Sequence, residues 1–277
     1  KEAAKYYKMA IDKRNPLAMN NYALMLENID DNPANKRLAV KYYKMAIFKG
    51  NADSMCNYAF MLQYGRGINK DLREAARFYK MAADHGNVDG MIEYASMTTN
   101  KKEEAKYLKM AADSGDIKSM SQYAFKLYDG MGIAKNIKES SKYYKMAADN
   151  GDTKSMFKYA NMIYKGYDEI SQDKKEAAKY FKMASDKDDY DAKEKYSDML
   201  YEGDGIPASK QEAFILYKQL ADTNFYSNRS SMKKCAQMLY NGDGIPIDKK
   251  ESAKYFKMAA DKNEEDSIEK YAKMNYE

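Results

Sequence analysis

The chain has 277 residues, with 47 basic side chains against 42 acidic ones, a formal net charge of +5 and a mean hydropathy of −0.84. So close a balance describes a solvated, mixed-charge surface and argues against a nucleic-acid-binding arm or a polybasic membrane anchor. No stretch reaches the roughly 18–20 apolar residues of a membrane span. Two remote cysteines, Cys56 and Cys235, and one histidine, His85, make neither a disulfide framework nor a usual zinc set, and they leave no Ser-His or Cys-His pair.

The first element, KEAAKYYKMA, has no apolar signal segment and no initiator Met, so the chain is expected to be part of something longer. Its phrase AAKYYKMA (Ala3–Ala10) returns along the chain as AVKYYKMA, AARFYKMA, EAKYLKMA, SSKYYKMA, AAKYFKMA, AFILYKQL and SAKYFKMA. The Met of the phrase falls at 9, 45, 81, 110, 146, 183 and 258, with Gln219 in the equivalent place. Successive spacings are 36, 36, 29, 36, 37, 36 and 39 residues. A fixed period of this size implies stacked units that bury a core only against their neighbours.

Between these phrases runs a second one, ADSMCNYAFMLQYGRGI around Tyr58. Its central tyrosine returns at Tyr22, Tyr94, Tyr123, Tyr159, Tyr196 and Tyr271, with Cys235 replacing it once. Each period therefore holds two helices, A (the Tyr58 phrase) and B (the AAKYYKMA phrase), about sixteen in all. Helix B should start at capping boxes, Asp71…Glu74, Asn100…Glu103, Asn136…Glu139, Asp173…Glu176, Ser209…Glu212 and Asp248…Glu251. It should end near Gly50, Gly86, Gly115 and Gly151, where glycine can take the left-handed closing conformation before the next Asn or Asp cap. Pro16 follows the cap Asn15, the helical position that tolerates proline best. The A-to-B turn carries Gly65-Arg66-Gly67-Ile68, Gly130-Met131-Gly132-Ile133, Gly203-Asp204-Gly205-Ile206 and Gly242-Asp243-Gly244-Ile245. With no strand before it and no P-loop lysine after it, this is a structural turn whose Ile enters the core. Between Tyr94 and Asn100 seven residues are missing relative to Tyr58 and Asp71, which predicts a shortened A helix, a lost glycine turn and a local change of path near Ser96–Lys101.

These residues resemble the Sel1-like repeat, a relative of the tetratricopeptide repeat. The pattern falls on Ser54, Tyr58, Ala59, Leu62, Gly65, Gly67, Ile68, Asp71, Ala75, Tyr79, Ala82, Ala83 and Gly86. It covers essentially all of residues 1–277 as one array of about eight repeats, partial at both ends and shortened near 87–115. The resemblance implies an all-α, right-handed superhelical solenoid of antiparallel helix pairs. It also implies a non-catalytic scaffold or adaptor for a protein or peptide. A permanent structural component of a large cytoskeletal or membrane-associated assembly is the alternative. Incomplete ends would favour end-to-end contacts with further repeats or other chains.

At about 100° per residue, Met55, Tyr58, Ala59 and Leu62 form the buried side of helix A, while Asp53, Asn57, Phe60 and Tyr64 lie opposite. In helix B, Ala3, Tyr6, Tyr7 and Ala10 face the core. The rows of Lys5 (Lys41, Arg77, Lys106, Lys142, Lys179, Lys254) and Lys8 (Lys44, Lys80, Lys109, Lys145, Lys182, Lys218, Lys257) point outward, as a solubilising face or a docking site for an acidic tail or anionic surface. Helix A lines the inside of related superhelices, so the concave partner-binding candidates are its free columns: Asn21, Leu24, Asn57, Phe60, Phe125, Lys158, Asn161, Lys195, Lys234 and Lys270. By analogy with tetratricopeptide grooves, the asparagines would hold a peptide backbone, Leu24, Phe60 and Phe125 would anchor it, and the lysines would attract acidic side chains. No nucleic acid, metal or cofactor is expected, and the carboxylates sit in caps and solvated faces, so no enzyme is expected. Sparse cysteines favour a cytoplasmic setting. The sequon Asn228-Arg229-Ser230 is compatible with the ER lumen or a secretory route.

Overall fold

Apolar faces too narrow to close on themselves pair in chain order in a computed structural model, which describes residues 2–29, 32–167, 169–223 and 225–274. The B helices are α1 (Glu2–Asp12), α3 (Pro33–Ile47), α5 (Leu72–Asp84), α7 (Lys101–Asp113), α9 (Ile137–Asp149), α11 (Lys174–Ser185), α13 (Lys210–Asp222) and α15 (Lys249–Ala260). The A helices are α2 (Pro16–Asn28), α4 (Ala52–Tyr64), α6 (Val88–Met97), α8 (Ile117–Asp129), α10 (Thr153–Lys165), α12 (Tyr190–Glu202), α14 (Arg229–Asn241) and α16 (Glu265–Met274). Among the described residues there is no strand, only an isolated bridge between Tyr167 and Ile170. The helices form two compact units that meet inside α9, Lys1–Tyr143 and Tyr144–Glu277. In each, consecutive helices pack as antiparallel A/B pairs.

The A-helix core is the predicted one, but on α1 the expected core residues Ala3 and Tyr6 are exposed and Tyr7 and Ala10 only half-buried. The reason is that α1 packs chiefly against α2 alone, whereas the equivalent Ala39, Tyr43 and Ala46 of α3 are buried between two neighbours. Met55, Tyr58, Ala59 and Leu62 are buried, as are their counterparts around Tyr22, Tyr123 and Tyr159, and around Tyr196 all but the half-buried Lys193 in the place of Met55. Tyr22, Tyr58, Tyr94, Tyr123 and Tyr159 each meet the first aromatic of the following B helix edge to face. Tyr58–Phe78, Tyr94–Tyr107, Tyr123–Tyr143 and Tyr159–Tyr180 all have ring centroids 4.8 Å apart. That geometry matches ring edge to ring face and is worth about 0.5–1.5 kcal/mol per pair beyond burial.

The termini follow the sequence with one correction. Asp71, Asn136, Asp173 and Asp248 accept the backbone N–H of the residue three places on, as capping residues should. Ser209 makes no such bond. The reciprocal half of the capping box is absent because the cap N–H is already used: those of Asp71, Asn136, Asp173, Ser209 and Asp248 donate to Leu62, Leu127, Ile163, Leu200 and Leu239 at the end of the preceding A helix. The glutamates are thereby released for other work. Gly50, Gly86, Gly115 and Gly151 take positive φ at the B-to-A turns, and Arg14, Asp188 and Asn263 do so in the copies without glycine. The second glycine of the A-to-B turn serves close approach: a Cβ on Gly132 would lie 2.2 Å from the carbonyl oxygen of Lys101, and one on Gly205 2.3 Å from Lys174 Cβ. The turn isoleucines are half-buried.

The third repeat is shortened as expected. α6 is three residues shorter than α4, and its C-cap is Thr98 in an extended conformation instead of a left-handed glycine. The boundary between compact units does not fall there but at Tyr143–Tyr144, so the deletion is absorbed inside the first unit.

Candidate functional site: the exposed faces of the A helices

In the first unit the amide column is woven into the fold. Asn20, buried one residue before Asn21, accepts from Ser54 Oγ (2.8 Å) and from Asn57 Nδ2 (3.1 Å), and its own amide reaches Asn21 Oδ1 at 3.3 Å. Asn57 thus bridges neighbouring A helices instead of standing free. Phe60 is half-buried between the Arg66 guanidinium, 4.9 Å from its centroid, and the Tyr64 ring at 4.6 Å. Leu24 (42% exposed) and Phe125 (46%) remain open. Leu24 lines a shallow groove of about 500 Å³ with Asn21, Met25 and Ile29.

In the second unit, Lys158 and Lys195 are exposed and, among the described residues, make no ion pair. Asn161 returns its amide to Phe157 O of its own helix, 2.9 Å away. Lys234 is bound to the Asp198 carboxylate and lies 5.1 Å from the Tyr217 centroid. Lys270 sits 3.9 Å from the centre of the Tyr240 ring, at the edge of a groove of about 470 Å³ that also carries Asp243 and Asp266. Of the ten candidates, Leu24, Phe125, Lys158 and Lys195 are the uncommitted ones.

The two lysine rows of the B helices part company. The Lys5 row is exposed throughout, as expected. The Lys8 row is not a free outer wall: three of its lysines stitch consecutive repeats through a glutamate, while Lys109, Lys182 and Lys257 pair with Asp113, Asp186 and Asp261 of their own helices. Lys80 lies over the rings of Tyr94 (5.1 Å) and Tyr107 (5.4 Å) and meets Glu103 at 2.6 Å. Lys145 repeats this with Tyr159, Tyr180 and Glu176, and Lys218 pairs with Glu251. These are the glutamates released from the capping boxes. A second thread runs beside the first, in which Tyr107, Tyr143, Tyr180 and Tyr255 donate to Asp84, Asp113, Asp149 and Asp222 of the preceding B helix at 2.5–2.7 Å. Burial, seconded by the acceptor carboxylate, pushes the Tyr107 and Tyr143 phenols up to about 12, so both stay protonated donors.

A third contact was missed from sequence. In the second unit the Asp between the paired glycines is a clasp: Asp204 accepts from Lys174 Nζ (2.6 Å) and Tyr164 OH (2.7 Å), and Asp243 from Lys210 Nζ and Tyr201 OH, both at 2.5 Å. The lysine first, then the phenol, holds each aspartate below the usual carboxylate range. The signal was available, since Tyr164 and Tyr201 each stand five residues after a core tyrosine and one period before the Asp.

The reactive side chains are placed structurally. Burial raises both thiols, Cys56 and Cys235, to about 12. His85 caps the C-terminus of α5, exposed, with Nδ1 2.9 Å from Met81 O. Asn228 of the sequon is buried, and its amide donates to Leu220 O and Thr223 Oγ1. Among the described residues, no group of three or more His, Cys, Asp or Glu is placed to hold a metal, and no helix is long and apolar enough to cross a membrane.

The Sel1 repeat pattern matches residues 1–15, 16–51, 52–87, 105–116, 117–152, 153–189, 191–224 and 230–264, most of the chain. The chain belongs to the Sel1 repeat family. The fourth match is reduced to twelve residues where the shortened repeat lies. Sel1 repeat proteins generally mediate protein–protein interaction and are typically non-catalytic. A protective antigen of uropathogenic Escherichia coli with an SLR fold covers 98% of this Sel1 chain at a TM-score of 0.77 and 19% identity, and this chain spans 59% of that one. A Sel1 repeat protein from Oxalobacter formigenes covers 87%, with 96% of its own length matched, a TM-score of 0.56 and 21% identity. At these identities the likeness is one of fold. No curated protein matches the chain.

Proposed function

We propose that this Sel1 repeat chain is a non-catalytic adaptor that holds a protein segment against its A-helix faces. The observation that carries the reading is the contrast between committed and uncommitted side chains. The stitches, clasps and Asn20 hub occupy most polar groups, yet Leu24 and Phe125 stand open in the first unit and Lys158 and Lys195 carry unpaired charge in the second. Exposed apolar anchors beside polar groups suit an extended peptide, and free lysines suit acidic side chains of the partner. Asn57, Phe60, Asn161 and Lys234 would then shape the face instead of binding directly. Photo-cross-linking from positions 125 and 195 in the full-length protein, followed by mass spectrometry, tests this. Each position should capture a partner, and binding of that partner should be lost on Phe125→Glu or Lys195→Glu respectively, with folding intact. Partners captured equally well by either variant would reject the reading.

A further inference from the structure

Beside the first B-helix pair lies a groove of about 710 Å³, away from the A-helix candidates. Its floor is apolar and recessed, made by buried Met19 and Val40. Met45 and Phe48 form one wall, and five cations rim it: Arg14, Arg37, Lys41, Lys44 and Lys49. Among the described residues, no acidic side chain lines it. Among the described residues none of the five makes an ion pair, in a molecule where three equivalents of Lys44 meet Glu103, Glu176 and Glu251.

Phe48 is the departure that makes this groove. Three residues after the phrase methionine or its equivalent, the other B helices carry Asp12, Asp84, Asp113, Asp149, Asp186, Asp222 and Asp261. Four of those aspartates accept a tyrosine hydroxyl from the next B helix. Here the next helix presents Phe78, which has no hydroxyl, and the aspartate is replaced by Phe48, 85% exposed. The exchange removes the acid that would neutralise the rim. It also leaves an aromatic ring exposed to water, with the Lys49 ammonium 5.6 Å from its centroid. A large apolar side chain so exposed, inside an uncompensated cationic rim, contributes nothing to the fold that Asp does not supply elsewhere.

We propose that this groove binds an acidic linear segment of a partner protein, with one aliphatic or aromatic side chain seated against Met45 and Phe48 and carboxylates facing the five cations. Charge complementarity selects the acid, and the recessed apolar floor selects a segment with a side-chain-sized anchor. A nucleic-acid backbone would meet that floor with nothing apolar to bury. A membrane surface, being flat, would leave the floor empty.

The test is fluorescence anisotropy with the full chain and a labelled peptide of about twelve residues repeating Glu-Glu-Leu-Phe. A matched Glu-Ser peptide tests the anchor. Co-sedimentation with phosphatidylserine–phosphatidylcholine vesicles tests the lipid alternative. The anchored peptide should bind about tenfold more tightly than the Glu-Ser peptide and weaken as salt rises from about 50 to about 300 mM. Phe48→Ala should abolish the anchor advantage, and Lys41→Glu with Lys44→Glu should abolish binding. Lys106→Glu with Lys142→Glu, on the exposed row of Lys41 and of equal charge change, should leave it intact. Circular dichroism verifies folding, which Phe48→Ala should not alter at so exposed a site. Equal loss in both lysine variants, no effect of Phe48→Ala, or vesicle binding without peptide binding would each overturn the proposal. None of these outcomes depends on whether the A-helix faces bind anything.

Discussion

The two compact units are stitched alike and clasped differently. In the first, Lys80 over Tyr94 and Tyr107 with Glu103 joins consecutive repeats, and in the second Lys145 does the same with Tyr159, Tyr180 and Glu176. At the turns the chemistry diverges. The second unit uses Asp204 and Asp243, each held by a lysine and a tyrosine. The first puts Arg66 where those aspartates stand, bonded to Glu27 at 3.3 Å, and at its short repeat has no glycine turn at all. There Lys126, buried, reaches Glu104 at 2.7 Å instead. Register between repeats therefore resides in the aromatic stitch, while the turn contact is exchangeable.

The largest expected effect falls on the shared element. Tyr94→Ala and Tyr159→Ala each remove a buried ring, its edge-to-face partner and the platform under a lysine, and each should cost about 3–5 kcal/mol in urea denaturation. A loss confined to one of the two would show that the stitch is not common to both units. Next comes the approach of turn to helix. Gly132→Ala and Gly205→Ala place a Cβ at 2.2–2.3 Å from Lys101 and Lys174 and force a non-glycine residue to φ near +80°, so about 2 kcal/mol or more is expected from each. Gly50→Ala, with nothing within 4 Å of its Cβ, should cost only the conformational part, about 1 kcal/mol.

The clasp itself should matter less. Asp204→Asn with Asp243→Asn keeps the shape and removes the charge, for a loss of about 1–2 kcal/mol at neutral pH, since both carboxylates are partly solvated. The sign with pH follows from the lowered pKa values. The aspartates' contribution is complete above the unfolded-state value and declines as pH falls through the folded-state value. Thermal melts of wild type and double variant should converge in acid, and a gap that widens there would contradict the clasp.

Much of this was legible in sequence because repetition aligned like with like. Tyr58 and its counterparts kept one identity in all copies but that of Cys235, and Gly50, Gly86, Gly115 and Gly151 marked four of the turns. What escaped was anything that crosses between repeats. Helical periodicity assigned Lys80 to the outside, because one helix gives a side chain's direction but not the next repeat's ring beneath it. The capping boxes misled for the same reason: Glu176 has the right spacing to reach back, but the Asp173 N–H is already taken by Ile163 O. Asn57 sits on the predicted open column, but its amide reaches the neighbouring repeat, where Asn20 is buried in the place of Cys56.

The smallest effect is the sharpest test of exchangeability. Glu27 occupies the place of Tyr164 and Tyr201, Arg66 that of Asp204 and Asp243, and Lys36 that of Lys174 and Lys210. Arg66→Asp alone sets two carboxylates against each other and should destabilise the first unit by about 1 kcal/mol. Adding Glu27→Tyr supplies the phenol and, with Lys36 already present, rebuilds the second unit's clasp in the first. A double-mutant cycle should then return a favourable coupling of about 0.5–1 kcal/mol. Glu27 also accepts from Tyr43 OH at 3.1 Å, so Tyr43→Phe must be carried through the same cycle to isolate the Arg66 contact. If the coupling is absent with Tyr43 accounted for, the turn contact is specific to its unit, and the two clasps are separate solutions instead of variants of one.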